Sequence, residues 1–205
     1  MFRKFNIWLF VTAVVILPVS VYAVVNWYEK NVQPLPVLIN KDHRIADFEL
    51  INQHGSIATI KDWNNKIVVA DFFFTRCSSV CPKMTNSLKK VQVATTQNKD
   101  LFITSFSVDP EADSVSRLQQ YVKRFCLNET NWTLLTGSKK DIYRLARKSF
   151  LVTATDGDGG PNDFIHSDLL ILIDKQKRIR GYYEGTIEKD IQQLIKDIKK
   201  LENEH

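Results

Sequence analysis

"KIVVADFFFTRCSSVCPKMT", residues 66–85, joins a hydrophobic run to two cysteines and a proline. Lys66 to Phe74 is nearly continuous in apolar, β-branched and aromatic residues, the pattern of a strand buried on both faces of a sheet. Proline is preferred at the first helical position, so Pro82 predicts a helix over Lys83–Thr95 with Cys81 at or near its cap. A helix N-terminus carries partial positive charge and free N–H groups, and both favour thiolate over thiol. The position therefore favours chemistry for Cys77 and Cys81: a redox pair or a metal site, against the alternative of a structural disulfide.

Outward from this stretch, Phe48–Ile51 and Ile57–Ile60 flank Asn52-Gln53-His54-Gly55 and predict a β-hairpin. Leu101–Val108 predicts a second central strand. Asp113 or Ser114 caps a helix through Phe125. Trp132–Leu135 predicts a strand, and Ser138 caps a helix over Lys139–Ser149. A glycine-rich loop, Thr153–Asp163, precedes strands at Leu169–Ile173 and Arg178–Glu184, which are joined by the turn Asp174–Lys177. The last helix runs from Glu188 to about Leu201, with Ile191, Leu194, Ile195 and Ile198 as its apolar stripe. Strand–helix alternation followed by a closing hairpin and helix implies an α/β sheet covered on both faces. This is a thioredoxin-like fold with an added N-terminal β-hairpin.

Before the domain, Ile7 to Val25 is an uncharged run of 19 residues, close to the minimum for crossing a hydrocarbon core of roughly 30 Å. Arg3 and Lys4 precede it, and Glu29 and Lys30 cancel beyond it. The sequence thus predicts one transmembrane helix, with the N-terminus cytoplasmic and the domain outside. A cleaved signal peptide is the rival, but the run exceeds the usual 7–15-residue apolar region. The expected organisation is a cytoplasmic tip and anchor over 1–30, a proline-containing linker over 31–44, and one domain over 45–205. The expected location is the inner membrane, single pass, with the domain facing the periplasm or extracytoplasmic side. The net charge of +5 concentrates in Lys139–Lys140 and Lys189–Lys200 without interleaved aromatics, so it reads as solvated helix faces and not as a nucleic-acid surface.

Three residues, Ser78, Ser79 and Val80, separate the two cysteines, one more than in a tight redox pair. The wider loop can set two sulfurs on one ion and can still close to a disulfide. Soft thiolates suit Cu(I), and two thiolates plus an imidazole suit Cu(II). His166 is the candidate third ligand. It opens the strand Leu169–Ile173, which should run antiparallel to Lys66–Phe74 and so start near the end that leads to Cys77. A lone histidine is more often bland, and His43, His54 and His205 read as solvated. Cys126, beside Phe125 at a helix end, reads as a small packed hydrophobe. Asp71 reads either as a group that tunes the thiols or as a cap on a sheet edge. "DGDGGPND" (156–163) lacks the ligand pattern of a calcium loop.

"DFFFTRCSSVCPKMT" (71–85), "SFSVDPEADSVSRLQQYVKRF" (105–125), "NWTLLTG" (131–137) and "IHSDLLILID" (165–174) together resemble the Sco/SenC family. The resemblance implies one copper, Cu(I) or Cu(II), held by Cys77, Cys81 and His166. It also implies a role in assembling the CuA centre of cytochrome c oxidase subunit II, or of a similar copper-receiving protein. Ser78 stands where many members have proline. The basic, hydroxyl-rich transit segment of a mitochondrial precursor is missing, which points to a bacterial member. Two functions follow: a copper metallochaperone without turnover, or a thiol–disulfide oxidoreductase reducing partner cysteines with Cys77 and Cys81. A peroxidase on the same fold is a distant third.

Overall fold

Strand β3 (Ile67–Phe73) is buried at all seven positions, as its continuous apolar run requires. It pairs in parallel with β4 (Leu101–Ser107), and β4 pairs in parallel with β5 (Trp132–Thr136). On the other side, β6 (Leu169–Ile173) runs antiparallel to β3, and β7 (Ile179–Glu184) antiparallel to β6. The expected hairpin forms from β1 (Glu49–Asn52) and β2 (Ile57–Thr59) and joins the sheet through β1 and β5. The order is β2-β1-β5-β4-β3-β6-β7, a thioredoxin-like sheet extended by the hairpin. The structure is a computed structural model describing residues 11–31, 33–152 and 167–204.

Alternation along β3 divides the core into two layers. Val68, Ala70 and Phe72 meet Trp63, Phe106 and Phe150 in one cluster. There Phe72 stacks on Phe106 at 5.3 Å, and Phe150 meets Phe106 edge-on at the same separation. The opposite face of β3 carries Asp71 and Phe73. Phe73 packs on Tyr121 of the helix Val115–Phe125, 5.1 Å between ring centres. The helices are α2 (Val80–Ala94), α3 (Val115–Phe125), α4 (Lys139–Arg144, continued by a π-turn over Leu145–Ser149) and α5 (Glu188–Glu202). The predicted stripe Ile191, Leu194, Ile195 and Ile198 is buried on α5, which packs against α2 and β7.

Several local expectations shift. Helix α2 begins at Val80, three residues before the predicted start, with Pro82 third in the helix. Proline is tolerated there because first-turn N–H groups have no partner inside the helix. Ile60 leaves the hairpin for a 3₁₀ turn (Ile60–Trp63), because Thr59 and Asp62 form a reciprocal capping box. Ser114, not Asp113, caps α3, accepting from Arg117 N.

The chain divides into two compact units, Met1–Leu35 and Pro36–His205. The expected linker over 31–44 thus belongs to the domain from Pro36 onward. Its backbone is bound along the last hairpin: Leu38 N donates to Ile179 O, Ile45 N to Lys177 O, and Arg180 Nε to Pro36 O. His43 is half-buried with Nε2 2.8 Å from Ser149 O, which corrects its reading as merely solvated.

In the first unit, a π-turn (Thr12–Ile16) leads into helix α1 (Leu17–Asn31). No helix among the described residues is long and apolar enough to cross a membrane. Fifteen α-helical residues rise only about 22 Å against a core of roughly 30 Å, and the last turns bring in Asn26, Glu29 and Lys30. This overturns the expected transmembrane helix over 7–25. The single-pass inner-membrane placement argued from it, with the domain facing the periplasm, falls with it. Residues 7–10 of that span, the glycine-rich loop 153–163, His166 and His205 lie outside the described residues.

Candidate metal centre

The C-terminal end of β3 is tied down before the first cysteine arrives. Val108 N donates to Phe73 O, 2.8 Å. Asp113 is fully buried and accepts from Thr75 N (3.1 Å), Thr75 Oγ1 (2.5 Å) and Ser107 Oγ (2.6 Å). Cys77 N then donates to Phe74 O, turning the chain so that Cys77 faces the start of α2. Cys81, second residue of that helix, donates its backbone N–H to Cys77 Sγ at 3.3 Å. Both cysteines are buried, at 6 % and 4 % exposure, and both are free thiols.

Their electrostatics differ sharply. Burial opposes ionisation of Cys77, but donation from the Cys81 thiol and from the N–H groups of Cys81, Ser79 and Val80 outweighs it. The Cys77 thiol is held below its ordinary range. Cys81 is pushed up to about 12, first by burial and then because its own S–H donates to Cys77. The pair is therefore asymmetric, with Cys77 the easier of the two to ionise and Cys81 the one that keeps its proton, the arrangement that favours Cys77 as the nucleophile.

Asp71 lies beneath the pair. It is not an edge cap: it sits in the central strand, 2 % exposed, accepting from Ser105 Oγ at 2.5 Å. Ser105 Oγ in turn accepts from Trp132 Nε1 at 3.0 Å. Burial raises the Asp71 carboxyl to about 7, the Ser105 bond working against the shift. Its negative charge also contributes to the upward shifts of Cys81 and of Tyr121. Tyr121 hydroxyl meets Thr85 Oγ1 at 2.7 Å, closing the floor between α2 and α3.

The structure thus brings Cys77 and Cys81 together and separates Cys126 from them. Cys126 is exposed at the left-handed C-cap of α3, φ 49°, which corrects its reading as a packed residue. His54 is an exposed hairpin residue 2.9 Å from Glu129. Among the described residues no group of three or more His, Cys, Asp or Glu could hold a metal, so the two thiols are the donors that the described chain itself offers. His166, the expected third donor, lies outside the described residues. Sequence reasoning did not single out Arg117 and Arg124. They stand seven residues apart on α3, and with Arg76 they line the cleft beside Cys77.

Residues 38–203 match the model of the SCO1/SenC family. A SCO1 protein homolog from Bacillus subtilis is 30% identical over 160 residues, covering 77% of this chain and 82% of that protein. BsSco, described as a Sco-family cytochrome c oxidase assembly protein with a disulfide switch, superposes with a TM-score of 0.71 and 28% identity over 84% of this chain and 100% of its own. Arabidopsis thaliana ScoI, solved with copper bound, gives a TM-score of 0.62 and 27% identity, covering 77% of this chain and 97% of its own. A family match over well more than half the sequence, on a domain with this cysteine loop, means that the chain belongs to the SCO1/SenC family.

Proposed function

We propose that this protein is a copper metallochaperone that takes one copper ion, as its cargo, on Cys77, Cys81 and His166 and assists assembly of the CuA centre of cytochrome c oxidase. The observation that carries the reading is the pair of buried free thiols at a helix N-terminus, one of them already biased to thiolate. The donor set fits the ion: soft sulfur suits Cu(I), and an added imidazole suits Cu(II). The strand register supports His166 as the third ligand. Ala70 pairs with Ile171 and the strands run antiparallel, so β6 begins beside the end of β3 that leads to Cys77. Copper in a family member and the assembly role named for another support carrying both to this chain.

Copper binding to the purified, reduced protein tests this. Cys77→Ala and Cys81→Ala should each abolish tight binding, and Cys126→Ala should leave it intact. His166→Ala should keep much of the Cu(I) affinity and lose the sulfur-to-copper charge-transfer band of the Cu(II) form. An intact band in His166→Ala would assign the third ligand elsewhere. Equal loss in Cys126→Ala would overturn the sulfur pair.

The contrast between the two thiols favours a second activity, thiol–disulfide exchange. Cys77 thiolate attacks a partner disulfide and releases one partner thiol. Cys81 then loses its proton and displaces the second, leaving a Cys77–Cys81 disulfide and a partner reduced by two electrons. Exchange needs no third ligand, so this activity should survive in His166→Ala.

A further inference from the structure

The cleft at Cys77 has a charge pattern that neither copper ligation nor disulfide exchange requires. It encloses about 290 Å³ and is lined by Arg76, Cys77, Arg117, Gln120, Tyr121 and Arg124, among others. Arg117, Gln120, Tyr121 and Arg124 follow one another at helical spacings of three, one and three, so a single face of α3 forms the wall. Tyr121 is buried and anchors this face to Thr85, while Arg117, Gln120 and Arg124 are exposed. Arg76 is paired with Asp109 at 2.5 Å. Among the described residues Arg117 and Arg124 form no ion pair; Arg124 lies over the Phe125 ring, 5.3 Å from its centre. Two other carboxylates lie near the loop and both are buried inside the fold: Asp113 is engaged with Thr75 and Ser107, and Asp71, bonded to Ser105, is held largely protonated below about pH 7 by burial. The cleft therefore presents uncompensated positive charge beside the reactive sulfur.

We propose that this cleft docks an acidic segment of the cysteine-bearing polypeptide that Cys77 serves. The proposal rests on the reading of Cys77, the cysteine that lines this cleft, as the sulfur that meets the partner. A guanidinium presents a planar fork of donors that matches a carboxylate, and it is the side chain suited to bidentate recognition of one. Seven residues of α-helix separate Arg117 from Arg124 by roughly 10 Å, the length of about three residues of extended chain. The cleft is at the small end of ligand sites, which typically run from about 300 to 1,000 Å³. It suits a few side chains of an extended strand. The matching partner carries two carboxylates about three residues apart, with its cysteine between or beside them.

The test uses the reduced full chain and three four-residue peptides, each with its cysteine activated as a neutral 2-pyridyl disulfide. The cysteine is bracketed by two glutamates three residues apart, by two lysines, or by two glutamines. Cys77 thiolate attacks the activated disulfide, forms the mixed disulfide with the peptide and expels pyridine-2-thione, whose absorbance gives the rate. Cys81 then releases the peptide thiol, so the protein is oxidised by two electrons and the probe is reduced by two. The glutamate peptide should react about tenfold faster than the lysine peptide at low ionic strength, with the glutamine peptide between them and the gap closing at high salt. The Arg117→Ala/Arg124→Ala double variant should bring that ratio to within about twofold of one. Removing two charges elsewhere, Lys196→Ala/Lys199→Ala on α5, should leave it unchanged. No charge preference in the unmodified protein, or an unaltered preference in the arginine variant, overturns the docking cleft alone. A fast phase that persists in Cys77→Ala instead overturns Cys77 as the reactive sulfur.

Discussion

Replacing Asp71 by asparagine should make the protein more stable, and by an amount that grows with pH. The carboxyl is buried in the central strand with one side-chain donor, Ser105, and burial raises it from 3.8 to about 7. A carboxyl raised on folding binds more protons in the folded chain than in the unfolded one. Its contribution is therefore intact below the unfolded value near 4 and is lost as pH rises toward the folded value near 7. Each pKa unit corresponds to 1.36 kcal/mol, so ionising Asp71 in the folded state costs roughly 4 kcal/mol in full, of which roughly 3 kcal/mol develops between pH 5 and pH 8. Asparagine keeps the size and an oxygen that accepts from Ser105, so Ser105 can still hold Trp132 Nε1. Urea unfolding of the reduced, metal-free protein, followed by circular dichroism, measures the difference at both pH values. Asp71→Asn should exceed the unmodified protein by about 3 kcal/mol more at pH 8 than at pH 5. A difference between the two proteins that does not change with pH would refute the burial argument.

Other outcomes follow from the same geometry. In the metal-free protein, iodoacetamide at neutral pH should modify Cys77 well before Cys81, because one thiol is held below its ordinary range and the other at about 12. Peptide mapping of partly alkylated protein reads the order, and equal labelling would contradict it. Asp113→Ala removes the acceptor shared by Thr75 and Ser107 and leaves buried donors unpaired. It should cost about 3 kcal/mol in urea unfolding and speed alkylation of Cys77 by loosening the loop that carries it. Unchanged values on both counts would remove Asp113 from its pinning role.

What the sequence discloses depends on whether side chains or backbone form the contact. β3 is legible because a strand buried on both faces needs an unbroken apolar run, and the cysteine loop is legible because it follows directly. The stripe of α5 shows at helical spacing for the same reason. The segment from Pro36 to Ile45 is opaque because it is held through its own backbone groups, Leu38 N, Pro36 O and Ile45 N, and these impose no residue pattern on it. Asp113 and Ser114 are both good caps. Their different fates, one buried under Thr75 and one at the helix end, depend on long-range packing that adjacent letters do not carry. The start of α2 is misjudged because Pro82 fits the third helical position as well as the first. Cys126 is misjudged because the helix ends in a left-handed turn that carries the thiol into solvent. The run at 7–25 reads as a span on composition alone, whereas the α-helix described there is shorter and takes in polar residues at its far end.

The asymmetry of the two thiols links the readings of the site. One hydrogen bond, from Cys81 S–H to Cys77 sulfur, both lowers Cys77 and raises Cys81. It stabilises the charge of the first sulfur by fixing the proton of the second. On the proposed function, an incoming copper ion and an incoming disulfide would both meet Cys77 first, the thiol whose ionisation the surrounding donors favour. Each would then require Cys81 to give up its proton, to ligate the ion in one case and to displace the partner sulfur in the other. Copper capture on this pair would consequently be coupled to proton release and would strengthen as pH rises. Arrival, in contrast, would depend on the cleft: in the proposed docking role, Arg117 and Arg124 would act on the incoming polypeptide before either reaction begins. The proposed division of labour is thus between a sulfur pair that would carry the chemistry and a helix face that would select the partner by charge.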